Sequence, residues 1–219
     1  MTLNKADEDN VPKTINIYLL RHGKTVGEPA LYGHTDIEVA PERQAEICRC
    51  LLEEQLDFSA VQTSPLKRCS DLAKLIHTKK PKLKLDVKSD WKETYFGELD
   101  GVPFEQAKSS WDLLDAFWQA PKQNPLPKAE PLGDFYLRIS VSWDAFAKTV
   151  DKDTLIVCHG GTIRMILAKI LQLDWSNAAL YSMLNIAHQS LTHIQITKAD
   201  QDYFRVCMIG KPLIGSLRK

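Results

Sequence analysis

The sequence predicts a single α/β domain of three layers, α/β/α, with a largely parallel central sheet. Three observations predict it. Short apolar runs rich in strand formers alternate with stretches whose apolar residues recur at helical spacing. The runs at 15–20 (INIYLL) and 154–158 (TLIVC) are apolar without alternation, as strands covered on both faces are. At 219 residues, 44% hydrophobic, the chain is long enough to bury one full core, and no internal repeat competes with that reading.

The elements follow in order. Residues 15–20 form the first strand, ending at Arg21-His22-Gly23. Residues 41–55 carry Ala45, Ile47, Leu51 and Leu52 at helical spacing, with Pro41 where a first-turn proline belongs. Residues 58–62 form a second strand, after which Ser64-Pro65 reads as a cap and first residue of a helix running through Leu66, Cys69, Leu72, Ala73 and Ile76. A third strand covers 84–87 and a helix 104–118. Four prolines between 121 and 131 mark a surface connection, and a helix over 134–150 follows it. The strand at 154–158 ends in His159-Gly160-Gly161, which leads into a helix over 162–171. Two last strands, 191–196 and 204–209, flank a polar turn as a hairpin does. The domain is expected over 15–210, with a flexible segment at 1–14 and a tail at 211–219.

Composition excludes some classes of function. Lysine plus arginine and aspartate plus glutamate both number 28, so no overall charge draws the chain to nucleic acid or to an anionic membrane; any anion recognition must be local. No run is long enough to span a bilayer, and residues 1–14 are polar, without the apolar stretch of a signal peptide. The five cysteines form no C-x-x-C pair, so they read as reduced thiols in a cytoplasmic protein rather than a zinc or redox centre.

In a parallel sheet, ligands gather at the carboxyl ends of strands. Two such ends carry histidines here, His22 and His159, and neighbouring places in the sheet would bring them to one crevice. Four blocks stand in order: LRHGKT at 20–25, TSPLKRC at 63–69, KETYFGELDG at 92–101 and VCHGGTIR at 157–164. Together they resemble the histidine phosphatase superfamily, the phosphoglycerate mutase-like proteins, over residues 15–196. The resemblance implies hydrolysis of a small-molecule phosphate monoester without metal or other cofactor. A phosphate dianion needs fixed cations, and the guanidinium forks of Arg21 and Arg68 suit its oxygens. An imidazole, with a reference pKa of roughly 6.5, is largely neutral near pH 7, so His22 fits as nucleophile. By resemblance His159 is a second phosphoryl contact, aided by Gly160 and the helix start, and Glu93 is the general acid and base.

Three features refine the expectation. The phosphate-contacting asparagine found in many relatives has no counterpart near Glu28. Thr94, rather than the arginine of the phosphoglycerate mutases, follows Glu93, which favours a phosphatase over a mutase. The run Leu31-Tyr32-Gly33-His34-Thr35-Asp36 is similar to a loop of α-ribazole-5′-phosphate phosphatases of cobalamin biosynthesis, making Tyr32, Gly33, His34 and Thr35 candidate substrate contacts. The alternatives are another small-molecule phosphatase, a phosphoglycerate mutase-like enzyme, or a phosphate-binding module without turnover. Cys158 and Arg164 also have the spacing of cysteine-dependent phosphatases, but Met165 stands where that loop needs serine or threonine. His77, His188 and His193 take no functional role in this reading, and Trp111, Phe117 and Trp118 are expected to pack a helix bordering the pocket.

Overall fold

Alternate residues of the first apolar run enter two different cores, which is why Ile17–Leu20 are apolar without alternation, while Asn16 is half-buried and bonds Asp153. In the computed structural model, which describes residues 12–213, strand β1 (Lys13–Arg21) sends Ile15, Ile17 and Leu19 to one face and Tyr18 and Leu20 to the other. Strand β4 (Thr154–Cys158) does the same, with Ile156 and Cys158 on the first face and Leu155 and Val157 on the second. Helices α4 (Leu132–Thr149) and α5 (Gly160–Ile170) cover the first face; α1 (Pro41–Glu53) and α2 (Lys67–Lys79) cover the second. The three layers follow from this two-sided burial.

The remaining strands are β2 (Ala60–Thr63), β3 (Lys84–Val87), β5 (Ser190–Lys198) and β6 (Asp202–Pro212). The sheet runs β3-β2-β4-β1-β5-β6. The first three pairings are parallel; β5 and β6 form an antiparallel hairpin added to the edge of β1. Registers place Arg21 opposite Cys158, so the next pair along the two strands is His22 and His159. The backbone N–H of His22 extends the ladder by bonding the Cys158 carbonyl at 3.1 Å.

Several boundaries move for local reasons. β1 begins at Lys13 and β6 runs to Pro212, so two residues beyond each end of the expected domain belong to strands; of the expected flexible segment and tail, 1–11 and 214–219 lie outside the described residues. The helix expected over 104–118 becomes α3 (Trp111–Gln119) after a single tight turn at Lys108–Ser110. Its first residues are drawn away, since Pro103 bridges to Ala30 and the Phe104 N–H bonds the Pro29 carbonyl at 2.9 Å. Helix α5 starts two residues early because the His159 carbonyl accepts the first helical bond, from Ile163 at 3.0 Å. A short α6 (Ala179–Ser182) was not anticipated.

Ser64 is not the cap of α2. The helix opens at Lys67, with Leu66 at the cap position and no cap from Leu66 itself. Its first N–H, that of Lys67, is instead bonded by Asp36 Oδ1 at 2.7 Å, from a loop 31 residues earlier.

Candidate active site

His22 lies just past β1 with 6% of its surface exposed. Its Nδ1 meets the Gly23 carbonyl at 2.8 Å, and a carbonyl only accepts, so Nδ1 carries the proton and Nε2 keeps its lone pair. Burial holds the imidazole well below its ordinary pKa, and the charges of Arg68 and Arg21 push in the same direction. The ring is neutral at pH 7.

His159 is fully buried, edge-on to His22 with centroids 5.1 Å apart. Arg68 Nε donates to its Nδ1 at 3.2 Å, so Nε2 bears the proton and bonds Ser64 Oγ at 2.8 Å. The serine read as a helix cap is thus the partner of this histidine. Burial, then the charge of Arg68, also hold His159 well below its ordinary pKa.

The two expected arginines come together but are used differently. Arg68 is fully buried and donates to the carbonyls of Thr35 (2.9 Å), Tyr32 (3.1 Å) and Gly33 (2.5 Å) besides His159. Arg21 donates to the Ile186 carbonyl and to His188 Nε2 at 3.0 Å, leaving its buried Nε–H without a partner among the described residues. Gly160 makes room for it: a Cβ there would stand 3.2 Å from Arg21 Nε and 3.1 Å from Arg164 Nη1. Burial disfavours the charge on Arg21, Arg68 and Arg164 alike, and Glu93 is the carboxylate that favours it in all three. Three guanidiniums facing one carboxylate make a site that favours an anion.

Glu93 reaches the same end of the sheet. Its Oε2 accepts the Gly161 N–H at the start of α5 at 2.9 Å, and Oε1 accepts the Thr94 N–H at 3.1 Å. Beside it opens a cavity of about 310 Å³, walled by Phe96, Phe117, Trp118, Phe135 and Tyr181, with Arg164 also on its lining. Phe117 and Trp118 border the pocket as expected, whereas Trp111 lies outside it, tilted against Phe104 and edge-on to Trp118.

The loop at 32–35 is held mainly by its backbone. Asp100 takes the N–H groups of His34 (2.8 Å) and Thr35 (2.7 Å), and Arg68 takes the carbonyls on either side. Tyr32 turns its hydroxyl back to the Glu28 carbonyl at 2.6 Å, and the His34 ring donates from Nε2 to the Glu93 carbonyl at 3.0 Å. Gly33 sits against the Thr94 carbonyl and Asp100, where a Cβ would come within 2.3 Å of either.

Sequence reasoning missed His188, whose ring lies 5.5 Å from that of His22; partial desolvation, with Arg21 and Lys24, pushes its pKa down to about 4. No local pattern marked it; the tertiary structure places it there, where the next residue, Gln189, bonds the carbonyls of both Arg21 and His22 through its N–H. Cys158, by contrast, faces the core and is fully buried; burial raises its thiol pKa far above the ordinary value, which removes the cysteine-nucleophile reading.

A sequence profile of the histidine phosphatase superfamily (branch 1) matches residues 17–206. The chain belongs to that family. Among relatives of this histidine phosphatase, a broad-specificity phosphatase of Saccharomyces cerevisiae is 26% identical over 215 residues, spanning 93% of this chain and 87% of that one. In structure it is similar to YhfR of Bacillus stearothermophilus, with a TM-score of 0.77 at 22% identity over 90% of this chain and 97% of that one. The α-ribazole phosphatase of Shigella flexneri superposes with a TM-score of 0.74 at 16% identity, over 90% and 96% of the two chains. At these identities the two structures show the fold alone. Among the described residues, no helix is long and apolar enough to cross a membrane.

Proposed function

We propose that this histidine phosphatase hydrolyses small-molecule phosphate monoesters through a phosphohistidine on His22. The observation that carries the reading is the free Nε2 of a neutral, buried His22 beside the unpartnered Nε–H of Arg21. The Nε2 lone pair attacks phosphorus, the ester P–O bond breaks, and its electron pair leaves on the substrate oxygen, which takes a proton from Glu93. Water then attacks phosphorus and gives its proton to Glu93, and the P–N pair returns to His22. Arg21 and Arg68 neutralise the phosphoryl oxygens, and the Nε2–H that His159 gives to Ser64 can be shared with one of them. Gly160, at the first turn of α5, lets the phosphoryl group approach the helix end.

For the leaving group we propose α-ribazole, from α-ribazole 5′-phosphate in cobalamin biosynthesis. The likeness of the run Leu31–Asp36 to a loop of α-ribazole-5′-phosphate phosphatases supports this, and the aromatic walls of the cavity beside Glu93 suit a planar heterocycle. The broad specificity in the name of the yeast relative favours a second reading, a phosphatase accepting many small esters.

One experiment addresses the chemistry and another the leaving group. EDTA-treated enzyme mixed with substrate and quenched within a turnover should carry one acid-labile, base-stable phosphoryl group, and His22→Ala should carry none and lose turnover by orders of magnitude. An adduct that survives in His22→Ala would sink the mechanism, and activity that returns only with added metal would sink its metal-free form. Across a panel of monoesters, α-ribazole 5′-phosphate should give the highest kcat/KM; a flat panel would move the assignment to the broad reading.

A further inference from the structure

The segment that carries Glu93 has no secondary structure of its own, since residues 92–96 lie in neither helix nor strand. A carboxylate that must meet the leaving oxygen at hydrogen-bond distance therefore needs its backbone fixed from outside. His34 Nε2 reaches the Glu93 carbonyl at 3.0 Å and Thr162 Oγ1 the Lys92 carbonyl at 3.3 Å, but the side chain that holds the segment at several carbonyls at once is Arg138, on α4 and 45 residues from Glu93. Its Nη1 donates to the carbonyls of Asp90 (2.7 Å) and Lys92 (3.2 Å), and its Nη2 to that of Glu93 (3.4 Å).

Arg138 is itself set by a two-pronged pair with Glu130, from Nε to Oε1 at 2.9 Å and from Nη2 to Oε2 at 2.8 Å. Glu130 also grips the far side of the segment. Its backbone N–H bonds the Tyr95 carbonyl at 2.9 Å and its Oε2 accepts the Tyr95 N–H at 3.3 Å. The pair is largely buried, with 24% and 17% of the two side chains exposed. Half-buried ion pairs contribute little net stability compared with apolar replacements, so stability alone does not account for one at this place. The planar fork serves geometry: one guanidinium binds a carboxylate along one edge and three backbone carbonyls, of Asp90, Lys92 and Glu93, with its remaining N–H groups, which a lysine cannot do.

We propose that Arg138 and Glu130 are positioning residues that set the depth of the Glu93 carboxylate against the leaving oxygen. The inference rests on Glu93 being the general acid. Neither side chain touches the cluster around His22 in any bond described above, so its loss leaves the nucleophile and the phosphoryl contacts in place.

The test compares kcat/KM, which reports phosphoryl transfer to His22, for glycerol phosphate and para-nitrophenyl phosphate. The proteins are wild type, Glu93→Gln, Arg138→Met, Arg138→Lys, Glu130→Gln and the double variant Glu93→Gln/Arg138→Met. Glu93→Gln should lose about a hundredfold on the alkyl ester and far less on the aryl ester. Arg138→Met should lose on the order of tenfold on the alkyl ester, with Arg138→Lys and Glu130→Gln moving in the same direction, and all three should lose less than about threefold on the aryl ester. The double variant should be no worse than Glu93→Gln alone, because a displaced acid has no further effect once the acid is gone. Equal losses on both esters, or additive losses in the double variant, would overturn the inference while leaving Glu93 in its role. A Glu93→Gln enzyme indifferent to the leaving group would instead remove the acid reading and this inference with it. If Arg138→Met does not fold, Arg138→Lys and the isosteric Glu130→Gln decide the question by the same comparison.

Discussion

The Glu93 carboxylate sits so close to Gly161 that the glycine has no room for a side chain: a Cβ there would come within 2.2 Å of Oε1, while the Gly161 N–H bonds Oε2 at 2.9 Å. The obstructed atom is the end of a flexible side chain, so the carboxylate can swing aside with little strain on the fold. Gly161→Ala should therefore keep its melting temperature within a few degrees, yet lose about tenfold or more in kcat/KM on alkyl phosphates. A variant as active as wild type on those esters would show that the acid tolerates displacement.

Asp36 couples the 32–36 loop to the helix that carries Arg68. Its Oδ1 supplies the N-terminal bond that α2 lacks locally, and its charge favours the positive end of that helix. Asp36→Ala should cost about 1 kcal/mol of stability and raise KM for phosphate esters, with Asp36→Asn recovering most of the stability. Denaturant unfolding together with steady-state kinetics checks both; an unchanged midpoint would mean that water serves the helix end equally well.

Cys158 should be chemically silent. It is fully buried in β4 with its thiol held protonated, whereas Cys207 is exposed. Iodoacetamide should modify Cys207 in the folded protein, leave Cys158 untouched and spare the activity, and Cys158→Ser should retain most turnover at a stability cost of about 1–3 kcal/mol for the buried hydroxyl. A folded but inactive Cys158→Ser protein would reopen the cysteine mechanism.

His22 and His159 make stability depend on pH with a definite sign. Both are buried and held neutral in the fold, while an unfolded histidine titrates near pH 6.5. Below that pH the unfolded chain binds protons that the folded chain does not, so stability falls as pH falls. Each histidine adds about 1.4 kcal/mol per pH unit to the slope until its folded value is reached. Chemical denaturation between about pH 4.5 and 7.5 should give a shallower slope for His22→Asn than for wild type; identical slopes would mean that His22 protonates in place.

Periodicity and composition were enough to place the layers and the ends of the sheet. β3 and β4 fall on the residues expected, and burial on both faces makes Ile17–Leu20 of β1 and Leu155–Cys158 of β4 apolar without alternation. Because the two strands run in parallel and in register, the tripeptides that follow them had to meet, which is why Arg21, His22 and His159 were legible before any coordinates. Tertiary structure alone decided which polar group serves which. Ser64 had the local signature of a cap, but the strand beside it places His159 within reach of its hydroxyl, and Asp36 arrives from the 32–36 loop to take the helix end. The Tyr32 hydroxyl bonds the Glu28 carbonyl, and His188, given no role from the sequence, lies against Arg21. Hydrophobic pattern is written along the chain because burial depends on a residue's own face of its element. A hydrogen bond depends on the element that folds back against it, often from tens of residues away, and no local pattern records that.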